Sequence, residues 1–279
     1  MRKQTILPQL EEKLKTIYGE QYNDEYLMAF QALIERWENK QWPTSAPLSE
    51  ENVYLITYGD SIFEDGTPTL ETLHTFLKTQ VGDWITDVHL LPMFPYTSDD
   101  GFSVVDYRRI HPRLGDWEHI EQLAEDYRLM FDFVANHISK SSDWFQKYLQ
   151  GDPTYERYFI QRDPSFDTSQ VIRPRTTPLF HDYQGTDNTK TVWTTFSEDQ
   201  IDLNYRHFPV LLEMTDILLE YAYKHGTSIR LDAIGFIWKE SGTTCMHLPQ
   251  AHAIIQLWRL LLDYFKPNTQ IITETNVPH

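Results

Sequence analysis

The stretch that decides the fold reads SIRLDAIGF over residues 228–236, an apolar run that carries Arg230 and Asp232. Two further stretches follow the same scheme: FDFVANH at residues 131–137 and IITETN at residues 271–276. A carboxylate at the end of a buried strand is costly unless it is paired or used. Parallel α/β folds place their functional sites at the carboxyl ends of strands. The three stretches therefore predict parallel strands whose ends share one site.

Short apolar runs alternate with segments of helical periodicity from residue 53 onward. The apolar runs cover residues 53–58, 88–94, 129–135, 228–236 and 270–275. The helix candidates between them cover residues 69–77, 117–127, 209–224 and 251–265. Continuously apolar strands separated by helices are typical of a parallel sheet that is covered on its faces. The pattern leaves two α/β architectures, an open doubly wound sheet or a (β/α) barrel.

Two regions interrupt this alternation. Residues 8–39 carry apolar side chains at a spacing of three to four, which predicts one or two amphipathic helices that end before the prolines of residues 42–47. Residues 136–200 are polar, aromatic and dotted with proline, with a helix candidate only at 144–149. Such an interval is too long for a plain loop in a compact domain, so it predicts a small inserted lobe.

The composition excludes several classes of protein. With 41 acidic and 24 basic residues the formal charge is −17, which disfavours nucleic acid and anionic membranes as partners. The single cysteine, Cys245, cannot form an internal disulfide or a cysteine zinc cluster. No apolar run approaches the roughly 20 residues of a membrane span, and Glu11 and Glu12 precede any run of signal-peptide length. We predict a soluble, cytoplasmic protein.

Asp232 and Glu274 are candidates for a pair of catalytic carboxylates. They lie 42 residues apart, close to one strand-helix-strand unit, so they can end adjacent strands. Adjacent strands are about 4.8 Å apart, and retaining glycosidases hold their two carboxyl groups about 5–5.5 Å apart, whereas inverting enzymes need about 6.5–9.5 Å. The spacing therefore favours retention. Arg230 shares a strand face with Asp232 and is expected to keep that carboxylate ionised for attack.

Each candidate also has an ordinary structural interpretation. A single strand-end carboxylate such as Asp132 is more often a cap or a partner for backbone groups. Arg230 and Asp232 alone could form a buried structural ion pair. Three polar strand ends in one chain are harder to explain in this way, so a functional site is the favoured interpretation.

These motifs resemble those of the α-amylase superfamily, glycoside hydrolase family 13. The resemblance covers the chain from about Val53 onward and rests on the three strand ends together with Asp99-Asp100-Gly101-Phe102 after the second strand. A finer likeness is to the sucrose phosphorylase subfamily and its relatives acting on glucosylglycerate and glucosylglycerol. The segments that carry it are Arg173-Pro174-Arg175, Pro178-Leu179-Phe180-His181, Val192-Trp193-Thr194-Thr195-Phe196, QIDL at residues 200–203 and SGTTC at residues 241–245.

The resemblance implies a fold and a division of the chain. Enzymes of this family use a (β/α)8 TIM barrel with a lobe inserted after the third strand. The expected parts are an N-terminal helical segment (1–50), barrel strands one to three (51–138), the inserted lobe or domain B (139–200), and strands four and five (201–279). The family also uses a third acid, an Asp after the seventh strand, which this sequence does not reach. We therefore expect a barrel truncated after the fifth strand, a fragment of a longer enzyme.

The resemblance also implies a role for each matching residue. Asp232 would be the nucleophile that forms a β-glucosyl ester. Glu274 would be the acid that protonates the departing oxygen and later the base that activates the acceptor. Arg175 is expected to contact phosphate or an acidic acceptor, because a guanidinium offers a planar fork to an oxyanion; the alternative is a solvated surface arginine. The residues expected to contact the donor sugar are Asp100, Phe102, His137, Phe196, Gln200 and Arg230.

The implied function is that of a retaining α-glucoside phosphorylase. Such a glycosyltransferase acts on sucrose or a similar glucoside, such as glucosylglycerate, with inorganic phosphate. A hydrolase or transglucosidase of the same superfamily, and an inactive sugar-binding remnant, are the alternatives. The sequence has no Asp-rich calcium loop and no HExxH pattern, so we predict no metal and no cofactor. The acceptor and the oligomeric state stay open.

Overall fold

Five parallel strands form the central sheet of the chain. The computed structural model describes residues 3–275, with side chains from residue 5 onward, so that Asn276 lies outside the described residues. In chain order the strands are β1 (Tyr54–Thr57), β2 (Asp87–Leu90), β3 (Arg128–Phe133), β4 (His137–Ile138), β5 (Phe180–Gln184), β6 (Thr189–Trp193), β7 (Ile201–Asp202), β8 (Gly226–Leu231) and β9 (Gln270–Thr273). The helices are α1 (Lys3–Tyr18), α2 (Asp24–Glu38), α3 (Thr69–Phe76), α4 (Trp117–Asp126), α5 (Asp143–Leu149), α6 (Phe208–Tyr223) and α7 (Pro249–Phe265).

The order of the strands distinguishes between the two α/β architectures. The central sheet runs β1-β2-β3-β8-β9, and every neighbouring pair is parallel. Its spatial order follows the chain order, whereas an open doubly wound sheet reverses at a switch point. The prediction of a (β/α)8 TIM-barrel type is thereby confirmed, with five barrel strands in the described part of the chain.

The register of β3, β8 and β9 brings the polar strand ends level with one another. Leu231 pairs with Phe133 on one side and with Thr273 on the other. The ladder continues one step further, because the N–H of Asp232 donates to Phe133 O at 3.1 Å and the N–H of Glu274 donates to Leu231 O at 3.0 Å. Asp232 and Glu274 therefore leave adjacent strands at the same height.

Helices α6 and α7 cover the face of the sheet behind these strand ends. Pro209 lies in the first turn of α6, where its missing N–H costs nothing. Trp258 of α7 is fully buried and packs edge-on against Phe133 with ring centres 5.4 Å apart. Its indole N–H donates to Thr215 Oγ1 of α6 at 2.9 Å. One large side chain thus connects both helices to the strand that precedes the site.

The two N-terminal helices pack against α6 and α7 rather than against the sheet. Asn23 begins α2 by accepting the N–H of Glu25 at 3.0 Å. Tyr26 of α2 stacks on Phe208 with ring centres 4.0 Å apart, and the Tyr18 hydroxyl donates to Tyr205 O at 3.0 Å. Tyr205 in turn donates to Ala135 O at 2.6 Å, so the N-terminal helices are linked to the end of β3.

We expect Tyr18→Phe to lower the free energy of unfolding by about 1 kcal/mol, because the buried Tyr205 carbonyl loses its hydroxyl donor. Urea unfolding of the chain measures this value. Tyr148→Phe is the matched control, because the Tyr148 hydroxyl is buried without a hydrogen-bond partner among the described residues. A Tyr18→Phe variant as stable as the control would contradict this docking contact.

The two ends of the insertion formed by residues 139–200 lie next to each other at the barrel. Strand β4 pairs antiparallel with β7, joining His137 to Asp202 and Ile138 to Ile201. Between them lie α5, which matches the predicted helix, and the antiparallel hairpin of β5 and β6. Trp193, Leu179 and Cys245 form a small separate apolar cluster beneath this hairpin. The interval thus has secondary structure of its own and is seated on the loop that carries Cys245.

The edge strands β1 and β9 expose apolar side chains. Ile56 is 63% exposed and Ile272 is 42% exposed. Ile272 pairs with Arg230 in the ladder, so it shares the face of the sheet on which the arginine lies. Among residues 3–275, no helix is both long enough and apolar enough to cross a membrane.

Candidate active site

Arg230 joins the carboxylates of two neighbouring strand positions. Its Nη1 donates to Asp132 Oδ1 in the shorter of two contacts and to Asp232 Oδ1 at 3.1 Å. Asp132 is buried, and its second oxygen lies 2.7 Å from His89 Nε2, which donates to it. Asp132 is therefore fully engaged by cationic and N–H donors. Its position supports a structural role for this residue rather than a reacting one, although its partners are two side chains and not the backbone groups expected.

Burial dominates the electrostatics of Asp232. Its side chain is 13% exposed, and this loss of hydration raises the pKa of Asp232 to about 7. Arg230 opposes the rise, while the charges of Asp132 and Glu274 add to it. Arg230 therefore favours the ionised form of Asp232, as expected, but its effect on the pKa of this carboxyl is smaller than that of burial. The physical reason is that the guanidinium is shared with Asp132 and does not outweigh desolvation.

Glu274 lies beside Asp232 and binds the backbone that follows it. Glu274 Oε2 accepts the N–H of Ala233 at 2.9 Å. Ala233 has a left-handed backbone with φ of 50°, a conformation that costs energy for a residue other than glycine. The bond to Glu274 helps to hold this turn. The two carboxyl groups are thus fixed relative to each other through one peptide unit, on strands that are direct neighbours.

A second group of predicted residues surrounds the Phe102 carbonyl. His137 Nε2 lies 2.9 Å from Phe102 O and Gln200 Nε2 lies 3.3 Å from the same oxygen. Both side chains are buried, at 1% and 3% exposure. The Phe102 ring lies against the Arg230 guanidinium at 5.8 Å, which connects this group to Asp232. The Phe196 ring lies 5.2 Å from the His137 ring.

Seven of the predicted site residues therefore form one connected cluster at the carboxyl ends of the strands. They are Asp232, Glu274, Arg230, Phe102, His137, Gln200 and Phe196. The cluster combines two adjacent carboxyl groups, a guanidinium, amide and imidazole donors, and two half-buried aromatic rings. A hydroxyl-rich ring with apolar C–H faces matches such a lining.

Two predicted residues lie outside this connected cluster. Asp100 is exposed, with a left-handed backbone (φ of 49°), and lines a neighbouring cavity of about 290 Å³ with Tyr58 and His111. Arg175 is exposed and makes no hydrogen bond or ion pair with the described residues. Its loop is attached at Thr177, whose hydroxyl donates to Phe196 O at 2.9 Å. The structure thus places Arg175 on a loop that is bonded to the Phe196 backbone, and its guanidinium has no partner within the part of the chain that the structure describes.

The sequence predicted no role for several residues that support the cluster, although Asp99 and Asp202 lie within the family-like segments DDGF and QIDL. Asp99 accepts from Gln200 Nε2 at 2.8 Å, and His89 donates to Asp132. Lys239 is buried beside Asp202, with Nζ 2.6 Å from Oδ2. The available signal for Lys239 and Asp202 was a charged residue within an otherwise apolar run, FIWKE and QIDL. Nothing in the sequence indicated that these two runs meet.

The described side chains offer no group of three or more His, Cys, Asp or Glu residues arranged to hold a metal ion. Cys245 is buried and unpaired.

The fold and the strand-end carboxylates define a (β/α)-barrel chain whose candidate site is built at the carboxyl ends of its strands. The chain belongs to the alpha-amylase family, because the family model "Alpha amylase, catalytic domain" matches residues 80–278. The family-level resemblance is thereby confirmed.

Curated relatives narrow the similarity to one group within the family. The chain is 45% identical over 277 residues to the glucosylglycerate phosphorylase of Spirochaeta thermophila, covering 97% of the chain and 47% of the relative. It is 53% identical over 231 residues to that of Allomeiothermus silvanus, covering 83% and 42%. The crystal structure of sucrose 6F-phosphate phosphorylase from Thermoanaerobacter thermosaccharolyticum superposes with a TM-score of 0.73 at 27% identity, covering 82% of the chain and 49% of that structure. The chain thus spans about half the length of these relatives.

Proposed function

We propose that the chain supplies the nucleophile and the acid/base of a retaining α-glucoside phosphorylase. The observation that carries the proposal is the position of Asp232 and Glu274 at the same height on adjacent parallel strands. That neighbourhood fits the short carboxyl separation of retaining enzymes, about 5–5.5 Å, better than the wider inverting one. Glucosylglycerate is the favoured donor, because relatives at 45% and 53% identity carry that name.

The reaction runs in two displacements. Asp232 attacks the anomeric carbon while Glu274 transfers its proton to the departing glycosidic oxygen, which leaves a β-glucosyl ester and free glycerate. Glu274, now ionised, then accepts a proton from the incoming phosphate, whose oxygen attacks the same carbon and releases Asp232. The product is α-glucose 1-phosphate. In this scheme Arg230 stabilises the carboxylate of Asp232 each time it is released.

The donor sugar would lie against the aromatic rings and the polar side chains of the cluster. Phe102 and Phe196 would face its C–H surfaces, while His137, Gln200 and Arg230 would bind its hydroxyls. Asp100 would bind hydroxyls at the far rim, from the neighbouring cavity. Arg175 would face the phosphate, or the carboxylate of glycerate, from the loop attached to Phe196.

We also propose the division of the chain into parts. The helical segment would comprise residues 1–50, the first barrel strands 51–138, domain B 139–200 and the next strands 201–279. The pairing of β4 with β7 supports the boundaries of domain B. A cytoplasmic location would suit the buried free thiol of Cys245.

The test joins the chain to the C-terminal half of the Spirochaeta thermophila relative and supplies glucosylglycerate with or without phosphate. We expect glucose 1-phosphate to form only with phosphate. Free glucose released at equal rates with and without phosphate would assign a hydrolase instead. The chain alone is assayed in parallel, and turnover by it would exclude an inactive remnant.

Arg175→Ala is expected to raise the KM for phosphate about 10-fold or more in the same chimera, because an oxyanion loses a charge-assisted hydrogen bond. Steady-state kinetics at varied phosphate measure the change. Arg162→Ala is the matched control, since Arg162 is an exposed arginine of the same lobe whose guanidinium lies over the Phe180 ring. Equal phosphate KM values for the two variants would remove Arg175 from the phosphate site.

A further inference from the structure

Lys239 is a buried lysine that the proposed reaction does not use. It lies seven residues after Asp232, its side chain is 4% exposed, and its Nζ is 2.6 Å from Asp202 Oδ2. Nζ also donates to Asn136 Oδ1 at 3.2 Å. A buried ammonium is expensive unless it is paired. The pair with Asp202 meets this requirement, and the contact with Asn136 points toward the site.

Asp202 accepts hydrogen bonds from three segments of the chain. Thr195 donates its N–H at 2.7 Å to Oδ1 and its hydroxyl at 2.6 Å to Oδ2. Asn136 Nδ2 donates to Oδ2 at 3.2 Å, beside the ammonium of Lys239. Asn136 and Asp202 flank residues 139–200 in sequence, so Lys239 connects both ends of that insertion to the loop after β8.

The two charged neighbours fix the orientation of the Asn136 amide. An ammonium has only donors and a carboxylate has only acceptors. The atom of Asn136 that faces Lys239 must therefore be Oδ1, and the atom that faces Asp202 must be Nδ2. Nδ2 carries two hydrogens, of which Asp202 takes one. The other points to His137 Nδ1, which lies 3.2 Å from Asn136 Nδ2.

This orientation decides which nitrogen of His137 carries the proton. Nδ1 accepts from Asn136 and must offer a lone pair, so the ring proton resides on Nε2. Nε2–H then donates to Phe102 O at 2.9 Å. Gln200 Nε2 lies 3.4 Å from His137 Nε2, but its own two hydrogens are directed to Asp99 Oδ2 and Phe102 O. The contact between the two nitrogens therefore requires no lone pair on Nε2.

We propose that Lys239 is a positioning residue for the sugar site, which holds His137 as the neutral Nε2–H tautomer by orienting the Asn136 amide. The significance of this state rests on the proposed function, in which the Phe102 ring faces the sugar and the Nε2–H of His137 holds the Phe102 carbonyl in place. A mixed tautomer population would present a lone pair to that carbonyl in part of the molecules. The lysine thus acts through Asn136 and does not touch the substrate.

The charges around His137 agree with a neutral ring. Burial lowers the pKa of His137, and Lys239 acts in the same direction, whereas Asp202, the Phe102 carbonyl and Asp99 oppose them. These groups come from the loop after β8, from β7 and from the segment after β2. Removing Lys239 alone would leave Asp202 uncompensated beside the ring. A Lys239→Met variant that folds should therefore have a higher His137 pKa than the parent chain.

The test is the ¹⁵N imidazole spectrum of His137 in the 279-residue chain. The parent should have a protonated Nε2 and an unprotonated Nδ1, and a proton on Nδ1 in the parent would overturn the proposal without any variant. The variant is Lys239→Met with Asp202→Asn, which removes both charges together so that neither is left buried alone. Its Asn136 amide can take either orientation, and the Nδ1–H tautomer should exceed about one tenth of the molecules.

Lys266→Met is the matched control. Lys266 is also a buried lysine, 2% exposed, whose Nζ donates to the carbonyls of Ala222 and Gly226 rather than to any site residue. Its loss should leave the His137 tautomer unchanged. An unchanged tautomer in the double variant would overturn the proposal as well. Because the readout is a proton position and not turnover, a failed phosphorylase assay leaves this test intact.

Discussion

Asp232→Asn should abolish glucosyl transfer in the chimera that carries the C-terminal half of the Spirochaeta thermophila relative. An amide cannot form the β-glucosyl ester, so both displacements lose their shared intermediate and kcat/KM should fall by about 10⁴-fold or more. The assay measures glucose 1-phosphate from glucosylglycerate and phosphate. Unchanged thermal unfolding of the variant, or a higher midpoint, would show that the loss is chemical.

Glu274→Gln separates the acid/base from the nucleophile. This variant should lose about 10²–10⁴-fold on glucosylglycerate, whose departing oxygen needs a proton. With α-glucosyl fluoride the leaving group needs no proton, so Glu274→Gln should still form the glucosyl ester while Asp232→Asn should not. Asp263→Asn is the control, since Asp263 is an exposed carboxylate on α7 that pairs with Arg259. Retained turnover of glucosylglycerate in both site variants would remove the assignment.

The strand ends could be predicted because the residues that define each of them are contiguous in the sequence. An apolar run that stops at Asp232 or Glu274 gives both the element and the direction of its end, and the parallel register then brings the two together. The same holds for α6 and α7, whose apolar periodicity matches the faces they bury. Local pattern and global fold agree at these positions, which is what a cooperative fold requires.

The sharing of the Arg230 guanidinium between two carboxylates could not be predicted in the same way. Its place two residues before Asp232 is visible in the sequence, but its shorter contact is to Asp132, which comes from a strand 98 residues away. Whether a guanidinium serves one carboxylate or two depends on distances between strands, and how far it lowers the pKa of Asp232 depends on that division. The sequence therefore indicated the charges and the direction in which Arg230 acts on Asp232, but not the burial that raises the pKa of this carboxyl.

The network of Lys239, Asp202 and Asn136 could not be predicted from the sequence either, because it also depends on contacts between distant segments. Its members lie at positions 136, 202 and 239, and each has a polar side chain within or beside an apolar run. Taken alone, each of these residues would be interpreted as an isolated buried polar group. Only the pairing of β4 with β7 and the return of the chain after β8 bring the three within hydrogen-bond distance. The tertiary contacts between these distant segments, and not the local sequence pattern, therefore decide which groups the three side chains bind.

Asp232→Asn should also stabilise the chain, and the gain should grow with pH. The pKa of Asp232 is raised from an ordinary value of 3.8 to about 7, so the folded chain keeps a proton that the unfolded chain releases. Its contribution to stability is fully present below pH 3.8, falls as the pH rises and is lost above about pH 7. A shift of this size corresponds to at most about 4 kcal/mol at 1.36 kcal/mol per pH unit.

Urea unfolding of the 279-residue chain at pH 4.5 and pH 8.5 measures the effect directly. The free energy of unfolding of Asp232→Asn should exceed that of the parent by about 2–4 kcal/mol at pH 8.5 and by much less at pH 4.5. Asp263→Asn, at the exposed pair on α7, should differ from the parent equally at both values. A variant no more stable than the parent at pH 8.5 would mean that Arg230 compensates the carboxylate fully. Asp232→Asn would then lose turnover without gaining stability. A buried charge that is kept for chemistry at the expense of folding should show both effects in the same variant.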